Sequence, residues 1–263
     1  MTRIATYYIV TTLLVISLSQ PCLAKASSLD VISITEICTY AQRLLKDYAM
    51  IGMGSTYHDP ADDLKKGVQI VEQYFQSLES HDLSADLNRK VRNSHDGWRR
   101  IHTLITQSPT KANAVTLLEM VETFTVDCMR ISEAIANETK KRGNNYVVWL
   151  AQLSMESQRL TALYVLKAWG VVHRDYGARV NEIMSEYHEL YKKLVTADDK
   201  YVSPHVKREL QNVDDQYMMF RVMVNSKSGR FAPSLAEKSA SNIFGMIKAL
   251  LKEEQHWLQS KSK

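Results

Sequence analysis

Little in this 263-residue chain breaks a helix: it has nine glycines and five prolines. No stretch alternates convincingly enough to be a strand. Charge of one dominant sign is missing too. The 33 Lys and Arg are interspersed with 29 Asp and Glu, for a net charge of +4, so no basic stripe suited to nucleic acid results. Past residue 24 no run approaches the roughly 18 consecutive apolar residues of a membrane span.

Motifs of metal and covalent chemistry are also lacking. The eight histidines (His58, His81, His95, His102, His173, His188, His205, His256) are scattered, mostly near helix ends or on polar faces. There is no His-Glu-x-x-His. The single Glu-x-x-His, Glu253 to His256, falls short of the two that a di-iron bundle needs with its further carboxylates. Without Cys-x-x-Cys-His, covalent c-type haem is excluded. Met at helical spacing reads as core filling, with a noncovalent haem held by Met and His as the other reading. Neither Gly-x-Ser-x-Gly nor Ser-x-x-Lys occurs in a fitting context. Gly52-Met53-Gly54 ends a helix rather than opening one, so it is no phosphate loop. The expectation is a non-enzyme with no metal and no cofactor.

What is present begins with a leader. Arg3, an apolar run from Ile9 to Leu18, Pro21 and small-residue sites at Cys22-Leu23-Ala24 and Ala24-Lys25-Ala26 predict a signal peptide over residues 1–24. An uncleaved anchor is the other reading. The chain is expected to be exported to the periplasm, with no transmembrane span after signal removal. Cys38 and Cys128 remain, and an oxidising compartment makes them a candidate disulfide or else two buried free thiols.

Pro60, Pro109 and Pro204 each follow a capping Asp or Ser, and Pro233 follows an alanine. Proline suits the first turn of a helix. Apolar spacing between these marks predicts eight helices, near 30–54, 60–79, 84–107, 109–142, 145–172, 175–197, 203–226 and 233–260. A shift of about 116 residues lays the first four on the last four. Gln42-Arg43-Leu44 falls on Gln158-Arg159-Leu160, Tyr48 on Tyr164, Gly54 on Gly170. A slightly larger shift brings Ser84 to Ser203, Asn93 to Asn212 and Trp98 to Tyr217. The fold class expected is all-α: a tandem duplication of an antiparallel four-helix-bundle unit, residues 30–142 and 145–260, joined near Arg142-Gly143-Asn144-Asn145.

Each unit's first helix has two apolar faces. Ile34, Ile37, Ala41, Leu44, Tyr48 and Ile51 form one core side, and Tyr146, Leu150, Leu153, Leu160, Tyr164 and Val171 the other. Opposite them run ridges of Thr39, Arg43, Met50 and Met53, and of Met155, Arg159, Ala162, Leu166 and Trp169. A solvated face would carry Lys and Glu there. The ridges are therefore expected to face each other and make the chain a pseudo-dimer. Arg43 and Arg159 would lie near its axis and need acceptors: carboxylates such as Glu36, Asp47 and Glu156, carbonyls, or an anionic ligand. Trp98-Arg99-Arg100 reads as a basic aromatic patch on the third helix. Lys140, Lys141 and Arg142 suit the negative end of the fourth.

The stretch Met155, Ser157, Gln158, Arg159, Leu160, Tyr164 and Gly170 resembles the first-helix signature of the PilJ/NarX-like N-terminal domain. That domain is the sensor module of type IV pili chemotaxis transducers and of nitrate/nitrite sensor kinases. Gln42, Arg43, Leu44, Tyr48 and Gly54 match more weakly. The resemblance implies a four-helix sensor domain pairing through its first helices. The family's anion-gripping arginine falls at Cys38 and Ser154 here, so nitrate binding is not implied. The candidate ligand site is Arg43, Arg159, Gln42 and Gln158, with Met50, Met53, Met155, Leu166 and Trp169 at the interface. The partners expected are a small or anionic ligand and a membrane-bound chemoreceptor or sensor kinase. The alternative is a purely structural adaptor of an envelope assembly.

Overall fold

The computed structural model describes residues 26–141, 143–171, 174–226 and 230–261, so the signal peptide expected over residues 1–24 lies outside the described residues. Eight helices occur among them and no strand: α1 (Ser28–Gly52), α2 (Pro60–Ser80), α3 (Ala85–Ile105), α4 (Lys111–Glu138), α5 (Gly143–Ala168), α6 (Tyr176–Val195), α7 (Pro204–Val224) and α8 (Pro233–Lys261). The chain is all-α. None of these helices is long and apolar enough to cross a membrane.

Local chemistry sets the starts. Ser27 and Asp30 form a capping box: the Ser27 hydroxyl accepts from the Asp30 amide, and Asp30 accepts from the Ser27 amide at 2.8 Å. Asp59, Ser84 and Ser203 cap α2, α3 and α7 through their side chains, with Pro60 and Pro204 in the first turn. At α4 the expected Ser108-Pro109 cap is wrong. Thr110 caps instead, its hydroxyl accepting from the Asn113 amide at 3.1 Å, because the Tyr48 hydroxyl holds the loop by accepting from the Thr110 amide at 3.1 Å. Tyr164 does likewise before α8, accepting from the Ala232 amide at 2.9 Å.

The ends of α1 and α5 are alike. Gly54 and Gly170 sit at φ of 70° and 81°, the left-handed region that glycine enters without strain. Beyond them Ser55 donates back to the Met50 carbonyl at 3.0 Å and Val171 to the Leu166 carbonyl at 2.9 Å. The end of α4 corrects two expectations. The helix stops at Glu138 instead of running on to 142, with Lys140 at a φ of 54°, and α5 already opens at Gly143 instead of at 145. Gly143 serves close packing there, since a Cβ on it would stand 2.6 Å from Leu258.

Two helices are central. α1 packs on α2, α4 and α5, and α5 packs on α1, α4, α6 and α8. The outer helices close the two ends, α3 on α2 and α4, α7 on α6 and α8. Burial therefore runs around most of α1 and α5, while α2, α3, α6 and α7 bury a single stripe. Of the expected core sides only Ile51 and Tyr146 stay half-buried.

Trp98 overturns the basic aromatic patch. Its ring is fully buried, with the indole N–H donating to Glu72 at 2.7 Å, and only Arg99 and Arg100 face outward. On the inner face of α3, His95 is also buried, stacked on Phe75 at 4.4 Å and bonded to Glu79 (2.7 Å) and Glu72 (3.1 Å). It departs from the expected placement of histidines on polar faces.

Candidate functional site at the contact of the two central helices

Where α1 meets α5, Met50, Met155 and Leu166 are buried, and Met53 and Trp169 pack half-buried against the core. Gly52 allows the approach of Trp169: a Cβ there would lie 2.2 Å from the indole ring. The same ring meets Tyr48 edge-on at 6.4 Å.

The two arginines go to different helices. Arg159 crosses from α5 to α4, where Nε and Nη2 donate to Glu122 Oε2 at 2.9 and 2.6 Å. Its Nη1 donates to Glu186 at 3.0 Å and Glu156 at 3.3 Å, and Glu182 lies at 3.8 Å. Arg43 leaves α1 for α8, its guanidinium carbon 4.2 Å over the Phe244 ring and 5.4 Å over that of Tyr40. The expected meeting of both guanidiniums near one axis is thus corrected. Mutual repulsion is avoided because each finds a fourth helix, α4 or α8, instead of its twin.

Each glutamine meets the fourth helix of its own half. Gln42 Nε2 donates to Glu122 Oε1 (3.2 Å) and Thr125 Oγ1 (3.1 Å). Gln158 Nε2 donates to the Ala240 carbonyl at 2.8 Å. So Gln42 and Arg159 share one carboxylate, Glu122. Both glutamines are buried and lie out of a ligand's reach.

Burial and charge compete here. Burial pushes the Glu156 carboxyl up to about 8, with Arg159 pulling it down and Glu186 and Glu122 pushing it further up. For Arg159 burial opposes the charge, yet the bond to Glu122 and the field of Glu156 outweigh it, so its proton is held more tightly still. Arg159 forms one wall of a cleft of about 420 Å³ between α4, α5 and α6. Six glutamates line it (Glu122, Glu133, Glu156, Glu182, Glu186, Glu189) against Arg130, Arg159 and Lys193. Carboxylates of the chain itself answer the arginine's need for acceptors, and the cleft repels an anion.

A second buried charge, absent from the expected site, lies nearby. Lys46 is fully buried on α1, paired with Glu237 of α8 and with Asp47 at 3.0 Å, and Ser241 donates to Glu237 at 2.7 Å. Burial pushes Asp47 up to about 6 against the pull of Lys46. A signal existed: the ridge steps seven positions from Arg43 to Met50, and Lys46 stands on the same face between them. Glu122 and Glu237 carried none, being ordinary acids on amphipathic helices.

Cys38 and Cys128 are buried free thiols, not a formed disulfide, and each is in side-chain contact with the other. Burial pushes the Cys38 thiol well up. Ser94 stands 3.7 Å from the Cys128 sulfur. Among the described residues no group of three or more His, Cys, Asp or Glu is arranged to hold a metal ion.

No protein-family model, no curated protein and no solved structure matches the chain. Function is therefore argued from the site alone.

Proposed function

We infer that the chain is a tandem duplication of an antiparallel four-helix unit, residues 30–142 and 145–260, pairing as a pseudo-dimer through α1 and α5. Contacts that recur about 116 residues apart support this reading. Tyr48 and Tyr164 clamp the loops before α4 and α8, and Gly54 and Gly170 end α1 and α5. Glu138 and Glu254 accept from the amides of Ser84 and Ser203 at 3.4 and 3.0 Å.

On this frame the protein is an exported, non-catalytic binding protein of sensor type, working with a membrane-bound chemoreceptor or sensor kinase. Its small ligand enters the cleft beside Arg159. The observation that carries the reading is the sharing of Glu122 between Gln42 of its own half and Arg159 of the other. A molecule competing for Glu182, Glu186 or Glu122 pulls on that link. Shifting one half against the other then passes the event on. Glu156 keeps its proton near neutral pH, so five ionised glutamates face three cations in the lining, and the ligand class is an organic cation rather than an anion.

The test is a thermal-shift series with putrescine, spermidine and arginine amide against nitrate, sulfate and acetate. The cations raise Tm in the native chain and lose the effect in Glu182→Gln/Glu186→Gln, whose side chains are 56% and 46% exposed and carry little of the fold. Sensing at this cleft is wrong if every compound leaves Tm unchanged.

A second reading, an envelope adaptor with no small ligand, draws on α7. Met218, Met219 and Val222 are exposed there, at 39%, 67% and 72%. It requires Met219→Ser/Val222→Ser to lose capture of a membrane receptor while no cation moves Tm.

A further inference from the structure

A larger hollow, about 670 Å³, lies between α3 and α4 and shares Arg130 with the Arg159 cleft. Its volume lies in the range of small-molecule sites. The floor is apolar and fixed: Ile101 of α3 and Phe124 and Ile131 of α4 are all at least 95% buried. Met120 lines it half-buried.

Two features set this hollow apart from an ordinary seam between helices. The first is Gly97, in the middle of α3. Glycine inside a helix costs about 1 kcal/mol relative to alanine, so it needs a reason. Packing supplies none. A Cβ at Gly97 would stand 3.7 Å from Phe124 and 3.8 Å from an Arg100 nitrogen, ordinary contact distances without a clash. What the missing side chain does is leave the floor over Phe124 open. The second feature is Arg100. That same 3.8 Å places its guanidinium beside the bare backbone, over the apolar floor. The neighbouring cations are engaged, Lys90 with Asp86 at 2.7 Å and Arg130 with Asp127 at 3.6 Å. Glu119 on the rim pairs with Arg179 at 2.8 Å. Arg100 has no ion pair or hydrogen bond among the described residues. Its charge is available where apolar surface and open space meet, with Asn93 and Thr123 beside it as further polar groups.

The second half provides a comparison. The hollow between α7 and α8, about 500 Å³, has Gln216 at the position answering to Gly97, and its described lining carries Asp215 and no cation. That second hollow also has an open mid-helix glycine, Gly245 of α8, so what distinguishes the α3–α4 hollow among the described linings is the unpaired arginine beside its glycine.

We propose that the α3–α4 hollow is a binding site for an amphipathic carboxylate, its apolar body over Phe124, Ile101 and Ile131 and its carboxylate on Arg100. The site opens on the other side of Arg130, which lines both hollows, and takes the opposite charge to the Arg159 cleft. A flat aromatic acid and a short fatty acid share this chemistry.

Titration calorimetry on the full chain tests it with indole-3-acetate, its neutral counterpart indole-3-acetamide, and decanoate. Binding of either carboxylate supports the proposal, and which one binds fixes the shape of the body. The amide binds at least about tenfold more weakly than the acid if the acid is the ligand, and Arg100→Gln loses about as much for whichever carboxylate binds. Gly97→Leu fills the hollow and removes binding. Gly97→Ala keeps the variant set interpretable if the larger side chain disturbs the fold: it raises Tm by relieving the helix while weakening the carboxylate. The proposal is overturned if neither carboxylate binds at millimolar concentration, or if Arg100→Gln and Gly97→Ala bind as the native chain does. Putrescine bound at the Arg159 cleft leaves these titrations unchanged, so the two sites fail or succeed separately.

Discussion

Replacing Arg159 by alanine strips Glu122 of its two-point partner and Glu156 of the cation that pulls its value down. Removing one member of a buried pair costs about 3–5 kcal/mol. The figure here is smaller for two reasons. Glu182 and Glu186 are about half exposed, so water takes over their share. Glu156, already pushed up to about 8 by burial, answers the loss by keeping its proton. About 2–3 kcal/mol remains, a fall in Tm of roughly 4–12 °C for a chain of this size. The penalty also depends on pH. Glu156 holds a proton in the folded chain that the unfolded chain releases above its ordinary value of 4.5. Its contribution is complete below that value and is lost as pH climbs to about 8. Without Arg159 to pull the value down, the folded chain binds still more proton, and its stability falls more steeply with pH. Urea unfolding followed by far-UV circular dichroism at pH 5 and pH 8.5 reads both quantities. The Arg159→Ala penalty is expected to be larger at pH 8.5. A penalty that is equal at both pH values, or below about 1 kcal/mol at pH 8.5, would refute the view of this cluster as a desolvated link.

The native chain carries the same sign: Asp47, Glu254 and Glu156, pushed up by burial to about 6, 7 and 8, make it less stable at pH 8 than at pH 5, and a flat Tm between those values would contradict their burial. Lys46→Met strands Asp47 and Glu237 in the core and costs about 3 kcal/mol by urea unfolding, whereas Lys46→Met/Glu237→Leu recovers part of it, Asp47 still lacking its cation; equal losses in both would mean the Lys46–Glu237 pair is not the cause. Gly54→Ala and Gly170→Ala each force a side chain into the left-handed region and cost about 1–2 kcal/mol, and a substitution there without cost would show that the helix ends are not fixed by these glycines. Gly52→Val overpacks the contact with Trp169 and lowers stability by about 1–3 kcal/mol, a loss that Trp169→Leu in the same chain should restore by making room.

Much of this architecture could be read along the chain, because it depends on groups close together in sequence. Capping oxygens reach amides two or three residues on, as at Ser203 and Asp59. A left-handed residue ends a helix wherever it stands, and Gly54 and Gly170 do so in the same way. Apolar spacing placed all eight helices within a few residues, and it also marked a second apolar ridge on the first helix of each half. Thr110 escaped because the tyrosine that organises its loop is 62 residues away.

The polar residues obeyed a different logic. A carboxylate looks the same in sequence whether water or a guanidinium answers it. Only the approach of α4 to α5 chose Glu122 for Arg159, and only the placing of α8 within side-chain reach of α1 gave Lys46 its partner and Arg43 its ring. Trp98 and His95 were misjudged for the same reason, since Glu72 and Glu79 on α2 bring them inward. Sequence thus determined the helices and their apolar faces, which follow from short-range sterics and periodic burial. The tertiary structure decided which charges were desolvated, because the strength of a charge–charge contact depends on what surrounds the pair, and those surroundings come from distant parts of the chain.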